Sequence, residues 1–207
     1  MYATISEAPE KDNMPNANIE RAIKKGTGED KDALQLYEAQ YEAMGPCGTA
    51  FMITALTDNK NRTFPNVRNQ VEKKGGTMGE SGSVSWMFDK KGVIIASGLK
   101  GDSAEMAIIE SGADNYEAND DGAFEIYTDM KNLHGTCDSL KKSGFEIEKA
   151  GIHFVPKSYK TISDKETAEK IIALGDSIEE DEDVTDVSGN FDIDESVMQQ
   201  LKGSGES

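Results

Sequence analysis

Cysteine, histidine and proline are scarce in this chain of 207 residues. The two cysteines, Cys47 and Cys137, lie far apart and follow no pairing pattern, which is typical of a protein in a reducing compartment. The two histidines, His134 and His153, are too few and too isolated to form a metal site or a catalytic dyad. Because no nucleophile–base pair is visible either, we expect a binding protein rather than an enzyme, with no metal and no other cofactor.

Long apolar runs are also absent. No segment approaches the roughly 18 apolar residues that a membrane-spanning helix needs. Residues 1–7 have neither the basic start nor the apolar core of a secretory signal. Apolar residues make up 36% of the chain and charged residues 29%, which excludes general disorder. The sequence therefore predicts a cytoplasmic globular protein with no membrane partner.

Positive charge is scarce overall, because 22 basic residues face 39 acidic ones and the net charge is −17. The deficit is uneven: residues 21–100 have a net charge of +3, whereas residues 101–207 have a net charge of −17. Phosphate binding depends on Lys and Arg, so any nucleic acid should be bound by the first half. The acidic second half either docks a basic partner or simply keeps the protein soluble.

Hydrophobic periodicity predicts short strands that alternate with helices. Helices are predicted at 14–25, 65–74, 103–111 and 130–142, and from the capping box at 163–166 onward. Strands are predicted at 37–43, 49–56, 84–88, 93–95, 124–127, 145–150, 152–155 and 184–191. This alternation is typical of α/β sandwiches and allows two βαββαβ-like units, whether or not one interrupts the other.

Trp86 is the only tryptophan in the sequence. It alternates with Val84 and Phe88 in the predicted strand at 84–88, which favours a buried position in the core. Stacking of the indole on a nucleobase is the weaker alternative.

Basic residues accompany two of the predicted helices. The segment Asp58–Thr63 joins a buried strand to a helix, and such loops often present binding groups. An Asx-type turn explains its asparagines but not Lys60 or Arg62, so a structural turn and a phosphate-binding loop have equal weight.

The basic residues near the helix ends either complement the helix dipole or bind phosphate. The candidate nucleic-acid contacts are Arg21, Lys24, Lys25, Asn59, Lys60, Arg62, Arg68, Lys73 and Lys74. Of these, Arg62, Arg68 and the Lys73–Lys74 pair are expected to share one face.

Four segments carry a resemblance to a known family. They are Asp-Asn-Met-Pro-Asn-Ala-Asn-Ile-Glu-Arg-Ala-Ile-Lys-Lys-Gly at 12–26, Tyr-Glu-Ala-Met-Gly-Pro-Cys-Gly at 41–48, Leu-Thr-Asp-Asn-Lys-Asn-Arg-Thr at 56–63 and Gly-Ser-Val-Ser-Trp-Met-Phe at 82–88. In this order they resemble signature blocks of the YebC/TACO1 family, and the likeness runs from about residue 12 to residue 194. Ala43 and Cys47 stand where that family usually has glycine. None of these blocks is a catalytic motif.

The resemblance implies a fold of α/β type, built from α+β two-layer sandwiches. The expected domains are a remnant of a helical N-terminal domain (1–30), a ferredoxin-like middle domain (31–97 with 159–194), an inserted α/β domain (98–158) and a disordered tail (195–207). Family members normally begin with a basic helical domain that carries a Gly-His-Ser-Lys-Trp start. This chain lacks that motif, and only the last helix of the domain, around residues 14–25, is expected to remain.

The resemblance also implies a function in gene expression. One version is a DNA-binding transcriptional regulator. Another is a ribosome-associated translation factor that binds ribosomal or messenger RNA. A protein–protein adaptor that uses the acidic half is a third possibility, and the oligomeric state stays open at the level of sequence.

Overall fold

A computed structural model of the protein describes residues 35–119 and 122–202, which form two compact units. The first unit consists of the described residues before Phe88 and after Val155, and the second is Phe88–Val155. The predicted helix at 14–25, with Arg21, Lys24 and Lys25, lies outside the described residues, as do residues 203–207.

The described elements alternate much as the periodicity predicts. In chain order they are β1 (Tyr37–Met44), β2 (Ala50–Thr57), α1 (Lys60–Lys73), β3 (Thr77–Met78), β4 (Phe88–Ser97), α2 (Asp102–Glu110), β5 (Asn115–Ala118), β6 (Phe124–Thr128), α3 (Leu133–Ser143), β7 (Glu146–Pro156), β8 (Lys160–Ile162), α4 (Lys165–Glu179), β9 (Val184–Gly189), β10 (Phe191–Ile193) and α5 (Glu195–Lys202). Two short 3-10 turns, Pro46–Gly48 and Ser85–Met87, precede β2 and β4. No helix of the described residues is long and apolar enough to cross a membrane.

The first unit is built on a four-stranded sheet with the order β3-β1-β2-β9, in which each neighbouring pair is antiparallel. β1 and β2 form a hairpin in which Tyr37 lies opposite Thr57 and Met44 lies opposite Ala50. β2, α1 and β3 form a split βαβ unit, because β1 lies between the two strands. β8 and β10 pair in parallel as a separate ribbon.

The core of the first unit lies between this sheet and helices α1 and α4. β2 is paired on both sides and its residues are almost all buried, as a central strand requires. On α1 the inward positions are Val67 and Val71, four residues apart, so they lie on one helix face as their spacing predicts. Ile171, Leu174 and Ile178 of α4 are buried in the same cluster.

The second unit follows the order β4-α2-β5-β6-α3-β7, which is the βαββαβ pattern of ferredoxin-like domains. Its sheet has the order β5-β6-β4-β7, with β4–β6 and β5–β6 antiparallel. Ile94 and Ile126 of the sheet, Ile108 of α2 and Leu140 of α3 are fully buried in its core. The predicted α/β sandwich class is therefore confirmed, although the uninterrupted βαββαβ order belongs to the second unit and not to the middle domain.

The boundary between the units differs from the prediction. Residues 88–97 were assigned to the middle domain (31–97), but they form β4, which pairs with β6 over five residue pairs from Gly92 to Ala96. The second unit therefore begins at Phe88. A strand had been predicted at 84–88, and that prediction is wrong, because Ser85–Met87 is a 3-10 turn and the strand begins only at Phe88.

The prediction of a disordered tail at 195–207 is wrong for residues 195–202, which form helix α5. Val197 is buried in the core of the first unit, and Met198 and Leu201 pack against the same cluster. Their spacing of one, three and four residues places them on one face of the helix. The apolar residues at 197, 198 and 201 have the spacing of an amphipathic helix, which the prediction of a disordered tail did not take into account.

Candidate nucleic-acid interface

The segment Asp58–Thr63, one of the candidate phosphate-binding segments, forms the start of helix α1. Asn59 is the N-cap residue, and its Oδ1 accepts hydrogen bonds from the backbone N–H groups of Asn61 at 3.1 Å and Arg62 at 3.2 Å. These bonds satisfy two of the N–H groups that a helix leaves without partners at its start. Asn59 therefore has a structural role in the fold.

A polar cluster beneath this helix start is centred on Asp183. Its Oδ2 accepts hydrogen bonds from the hydroxyl of Thr57 at 3.1 Å and from that of Thr63 at 2.6 Å. Nη2 of Arg62 lies 3.0 Å from Oδ1 and 2.9 Å from Oδ2. Burial raises the pKa of Asp183, but the hydrogen bonds from Thr63, Arg62 and Thr57 outweigh it and hold the pKa below its ordinary value. The cluster fastens α1 to the residue that precedes β9.

Arg62 is consequently bound to carboxylates of its own chain. Its Nη2 also lies 3.1 Å from Oδ1 of Asp58, and the hydrogen bond and charge of Asp183 raise the pKa of the guanidinium. An Asx-type turn alone gives this arginine no structural role. The structure gives it one, because Arg62 neutralises the carboxylate on which the threonine hydroxyls converge.

Lys60 is exposed, and its ammonium nitrogen lies 5.7 Å from the ring centre of Tyr37, within the range of a cation–π contact. However, the loop that contains Asp183 is a run of five acidic residues at 179–183. A phosphate placed at the start of α1 would meet this negative loop as well as Lys60 and Arg62. The surroundings of the segment disfavour phosphate, although the phosphate contact itself stays a prediction.

The remaining basic residues of α1 lie apart from Arg62, either around the helix axis or along it. Six residues separate Arg62 from Arg68, which places the two side chains about 120° apart around the helix axis. Nε of Arg68 lies 2.7 Å from Oε1 of Glu72, so Arg68 is paired on the helix surface. Lys73, in the last turn, and Lys74, the C-cap residue, are both exposed. The structure therefore divides the predicted patch between the two ends of the helix.

The two ends of the first unit's sheet have different surroundings. At one end are Tyr37, Thr57 and Val184, next to the acidic run at 179–183. At the other end Met44 lies opposite Ala50 and Phe51 lies opposite Gly189. Exposed lysines lie at this second end, namely Lys73 and Lys74 at the end of α1, Lys157 before β8 and Lys160 at the start of β8. We call these four residues the lysine group.

Backbone hydrogen bonds fix two members of the lysine group at this end of the sheet. The N–H of Lys157 donates to the carbonyl of Met87 at 2.8 Å, and the N–H of Lys160 donates to the carbonyl of Asn190 at 2.8 Å. Oδ1 of Asn190 accepts from the N–H of Ala50, the first residue of β2, at 2.7 Å. The ammonium of Lys160 donates to the carbonyl of Cys47 in the turn between β1 and β2.

The loop at 79–87, which leads away from β3 at the same end, is held by one buried carboxylate. Glu42 of β1 accepts hydrogen bonds from the N–H groups of Gly82 at 2.7 Å, Val84 at 2.7 Å and Ser85 at 2.9 Å. Burial raises the pKa of Glu42, but the hydrogen bonds from these backbone N–H groups lower it by more than burial raises it. The pKa is therefore held below its ordinary value. The carboxylate therefore stays ionised. It accepts hydrogen bonds from backbone N–H groups of the loop at 79–87, which would otherwise need partners on a neighbouring strand.

Trp86 lies on the outside of this loop and not in the core. Its side chain is 64% exposed, whereas Val84 and Phe88 on either side are buried. The indole Nε1–H donates to the carbonyl of Ser83 at 3.0 Å, and the ammonium of Lys157 donates to the carbonyl of Trp86 at 2.9 Å. The prediction of a buried Trp86 is wrong, because the 3-10 turn rotates the indole outward while its neighbours remain inward.

Sequence reasoning did not single out Glu42, Lys157 or Lys160. Glu42 is 40 residues away from Gly82, and no local pattern signals that a strand carboxylate will bind a distant loop. Lys157 and Lys160 lie beyond the second unit in the sequence, so only the return of the chain brings them to the sheet end. Among residues 35–119 and 122–202, no group of three His, Cys, Asp or Glu side chains could hold a metal ion.

Comparison with known proteins gives consistent results for both units. A family model described as the second and third domain of TACO1/YebC matches residues 36–191. A probable transcriptional regulatory protein of Fusobacterium nucleatum is 44% identical over 191 residues, covering 91% of this chain and 76% of the relative. One from Persephonella marina is 41% identical over 197 residues, covering 94% of this chain and 78% of the relative. The crystal structure of a conserved hypothetical protein from Aquifex aeolicus is similar with a TM-score of 0.79 and 42% identity, over 88% of this chain and 75% of that one.

Proposed function

Because this chain belongs to the TACO1/YebC family, we propose that it is a cytoplasmic, non-enzymatic regulator of gene expression that acts by binding nucleic acid. Several relatives are named probable transcriptional regulatory proteins, which favours DNA as the target. RNA, alone or in the ribosome, is the second candidate, because the exposed Trp86 suits unpaired bases.

The observation that carries the proposal is the position of the lysine group, at the end of the first unit's sheet that lies away from the acidic run at 179–183. The acidic run at 179–183 binds Arg62 and repels phosphate at one end. The lysine group lies at the other end, where the buried carboxylate of Glu42 is compensated by backbone N–H groups. In a chain with a net charge of −17, lysines that lie away from the longest acidic run are the cations best placed to bind a polyanion.

A salt titration of binding tests this proposal. Wild-type protein should bind labelled duplex DNA or single-stranded RNA with an affinity that falls as salt concentration rises, since binding releases counterions. Replacing Lys73 and Lys74 together with alanine should weaken binding. It should also flatten the logarithmic salt slope by about 0.9 per lost phosphate contact on duplex DNA, or about 0.7 on a single strand.

The second unit offers a matched control. Lys141 and Lys142 are also an exposed lysine pair in the last turn of a helix, and a glycine follows two residues later. Their replacement with alanine changes the net charge by the same amount. Equal losses of affinity in the two double variants would mean that total charge, and not the lysine group, governs binding. No binding of wild type to any nucleic acid at low salt would exclude the proposed function.

A protein–protein adaptor is a second candidate function, supported by the outer face of α2. Met106 and Ile109 are exposed and lie three residues apart, so they are neighbours on the helix surface. Asp102, Glu105 and Glu110 are the charged residues of this helix, and it has no basic residue. An apolar pair among carboxylates suits a basic amphipathic partner. Replacing Met106 and Ile109 with serine should abolish capture of such a partner and leave nucleic-acid binding unchanged.

A further inference from the structure

We propose that Trp86 is a stacking platform for an unpaired nucleobase, so that the nucleic acid preferred by this chain is single-stranded. This inference rests on the proposed function and specifies its ligand. It also identifies the residue that would contact a base, which the lysine group cannot do because ammonium groups bind mainly phosphate.

The exposure of Trp86 is the first observation. A tryptophan that serves the core should be buried, yet the packing at this position is supplied by its neighbours Val84 and Phe88. The indole therefore leaves a large aromatic face in water, where it gains little for stability. Large exposed aromatic surfaces are typical of binding sites.

The fixed position of the indole is the second observation. Its N–H bond to Ser83 restrains the ring, and the Glu42 carboxylate holds the backbone of the loop on the N-terminal side of Trp86. On the other side, the N–H of Lys157 is bonded to Met87. A ring that is already ordered loses little conformational entropy when a base stacks on it, which favours affinity.

The third observation is a cation close to the backbone of Trp86. The ammonium of Lys157 donates a hydrogen bond to the carbonyl of Trp86. Single-strand binding sites combine an aromatic face for the base with a cation for the adjoining phosphate. Trp86 and Lys157 supply this pair of groups within one unit of the protein.

Single strands fit this site better than duplexes. In a duplex both faces of each internal base are covered by neighbouring bases, so an indole has no free face on which to stack. In a single strand, unstacked bases can lie on an aromatic side chain regardless of their identity. The site should therefore have weak sequence preference.

Intrinsic fluorescence gives a direct test, because Trp86 is the only tryptophan in the chain. A labelled single-stranded RNA of roughly 12 nucleotides, a length within the range that single-strand-binding domains cover, serves as the probe. Binding is followed by anisotropy of the label and, in parallel, by quenching of the indole emission. We expect the two signals to saturate together, and the same oligonucleotide in a duplex to bind more weakly and quench less.

Substitutions make the test specific. Trp86→Leu should weaken single-strand binding about 5- to 150-fold, which corresponds to about 1–3 kcal/mol per stacked base, whereas Trp86→Phe should lose less because it keeps an aromatic face. Phe64→Leu is the matched control, since Phe64 is a half-exposed aromatic residue on α1 whose ring packs against Tyr41. A strand of the same length with abasic sites should bind wild type and Trp86→Leu equally.

Three outcomes would overturn the inference. If RNA binds by anisotropy while the indole is not quenched and Trp86→Leu binds as tightly as wild type, stacking is excluded and the proposed function survives. If no nucleic acid binds to wild type, the proposed function fails and the stacking site fails with it. A loss of affinity in Trp86→Leu that the abasic strand shows equally would also overturn stacking, because phosphate contacts alone would then be affected.

Discussion

At the scale of single residues, Asp183 explains why the start of α1 is built as it is. Its carboxylate accepts hydrogen bonds from two threonine hydroxyls and is paired with Arg62. The segment Asp58–Thr63 therefore serves first to fasten α1 to the residue that precedes β9. This structural explanation covers the side chains of Asn59, Arg62 and Thr63, and it does not require those of Lys60 and Asn61.

Replacing Thr63 tests this cluster. Thr63 is fully buried and its hydroxyl lies 2.6 Å from Asp183, so Thr63→Val removes a donor to a carboxylate without changing the shape of the side chain. We expect a loss of about 1–3 kcal/mol in the free energy of unfolding, measured by urea denaturation at neutral pH. Thr63→Ser keeps the hydroxyl and should lose less. If Thr63→Val had the same free energy of unfolding as wild type, the hydroxyl of Thr63 would not contribute to the stability of the cluster.

Cys47 is a second residue whose backbone carries a testable consequence. It adopts φ 55° and ψ 20°, the left-handed conformation that glycine accepts more easily than other residues. Relief of this strain in Cys47→Gly should exceed the entropic cost of glycine and stabilise the protein by up to about 1 kcal/mol. Cys47→Ala keeps the Cβ atom and should show no such gain. A lower thermal midpoint for the glycine variant would contradict the account.

At the scale of elements, the loop at 79–87 depends on a carboxylate instead of on strand pairing. Above its ordinary pKa of 4.5, Glu42 is ionised in both the folded and the unfolded protein, and its hydrogen bonds stabilise the fold fully. As the pH falls below that value, the unfolded chain takes up the proton first. The stabilisation is then lost as the pH passes through the lower pKa of the folded state.

Glu42→Gln should therefore be less stable than wild type at neutral pH, by about 1–3 kcal/mol, because an amide cannot accept all three backbone N–H bonds. The difference should shrink as the pH falls below 4.5. Urea denaturation of both proteins at pH values on each side of this point measures it. A difference that stays constant with pH would show that the charge of Glu42 does not hold the loop.

Helix α1 shows how two parts of one element can have different roles. Its start lies next to the acidic run at 179–183, and its end has the exposed pair Lys73–Lys74. The sequence pattern alone places all its cations in one candidate patch. The length of the helix separates them, and the acidic loop before β9, more than 100 residues away in the chain, lies next to only one of its ends.

At the scale of the whole molecule, local patterns predicted most of the fold. The alternation of strands and helices and the inward valines of α1 follow from periodicity. The start of α4 was also predicted, but its N-cap is Asp164, whose carboxylate accepts from the N–H of Thr167, and not Ser163 of the predicted capping box.

The prediction for Trp86 is wrong because burial of Val84 and Phe88 is compatible with two structures. One is the predicted strand at 84–88, and the other is the observed 3-10 turn followed by a strand. The spacing of the two residues does not distinguish these conformations.

The candidate site was predicted less well, for a physical reason. Its members come from β1, α1, the loop at 79–87 and the chain that returns after the second unit. Their proximity depends on the order of the strands, which periodicity does not encode. Lys73 and Lys74 could be identified from sequence, but Lys157, Lys160 and Glu42 required the topology.

Ultraviolet crosslinking of the full chain to single-stranded RNA, followed by mass spectrometry of the crosslinked peptides, tests the central claim most directly. The claim is that nucleic acid binds at the lysine end of the first unit's sheet and not at the acidic end. Crosslinks should lie in the peptides that contain residues 79–87 and 157–160, with Trp86 as a principal site. Crosslinks confined to residues 58–64 and 179–186, or to the second unit, would contradict it.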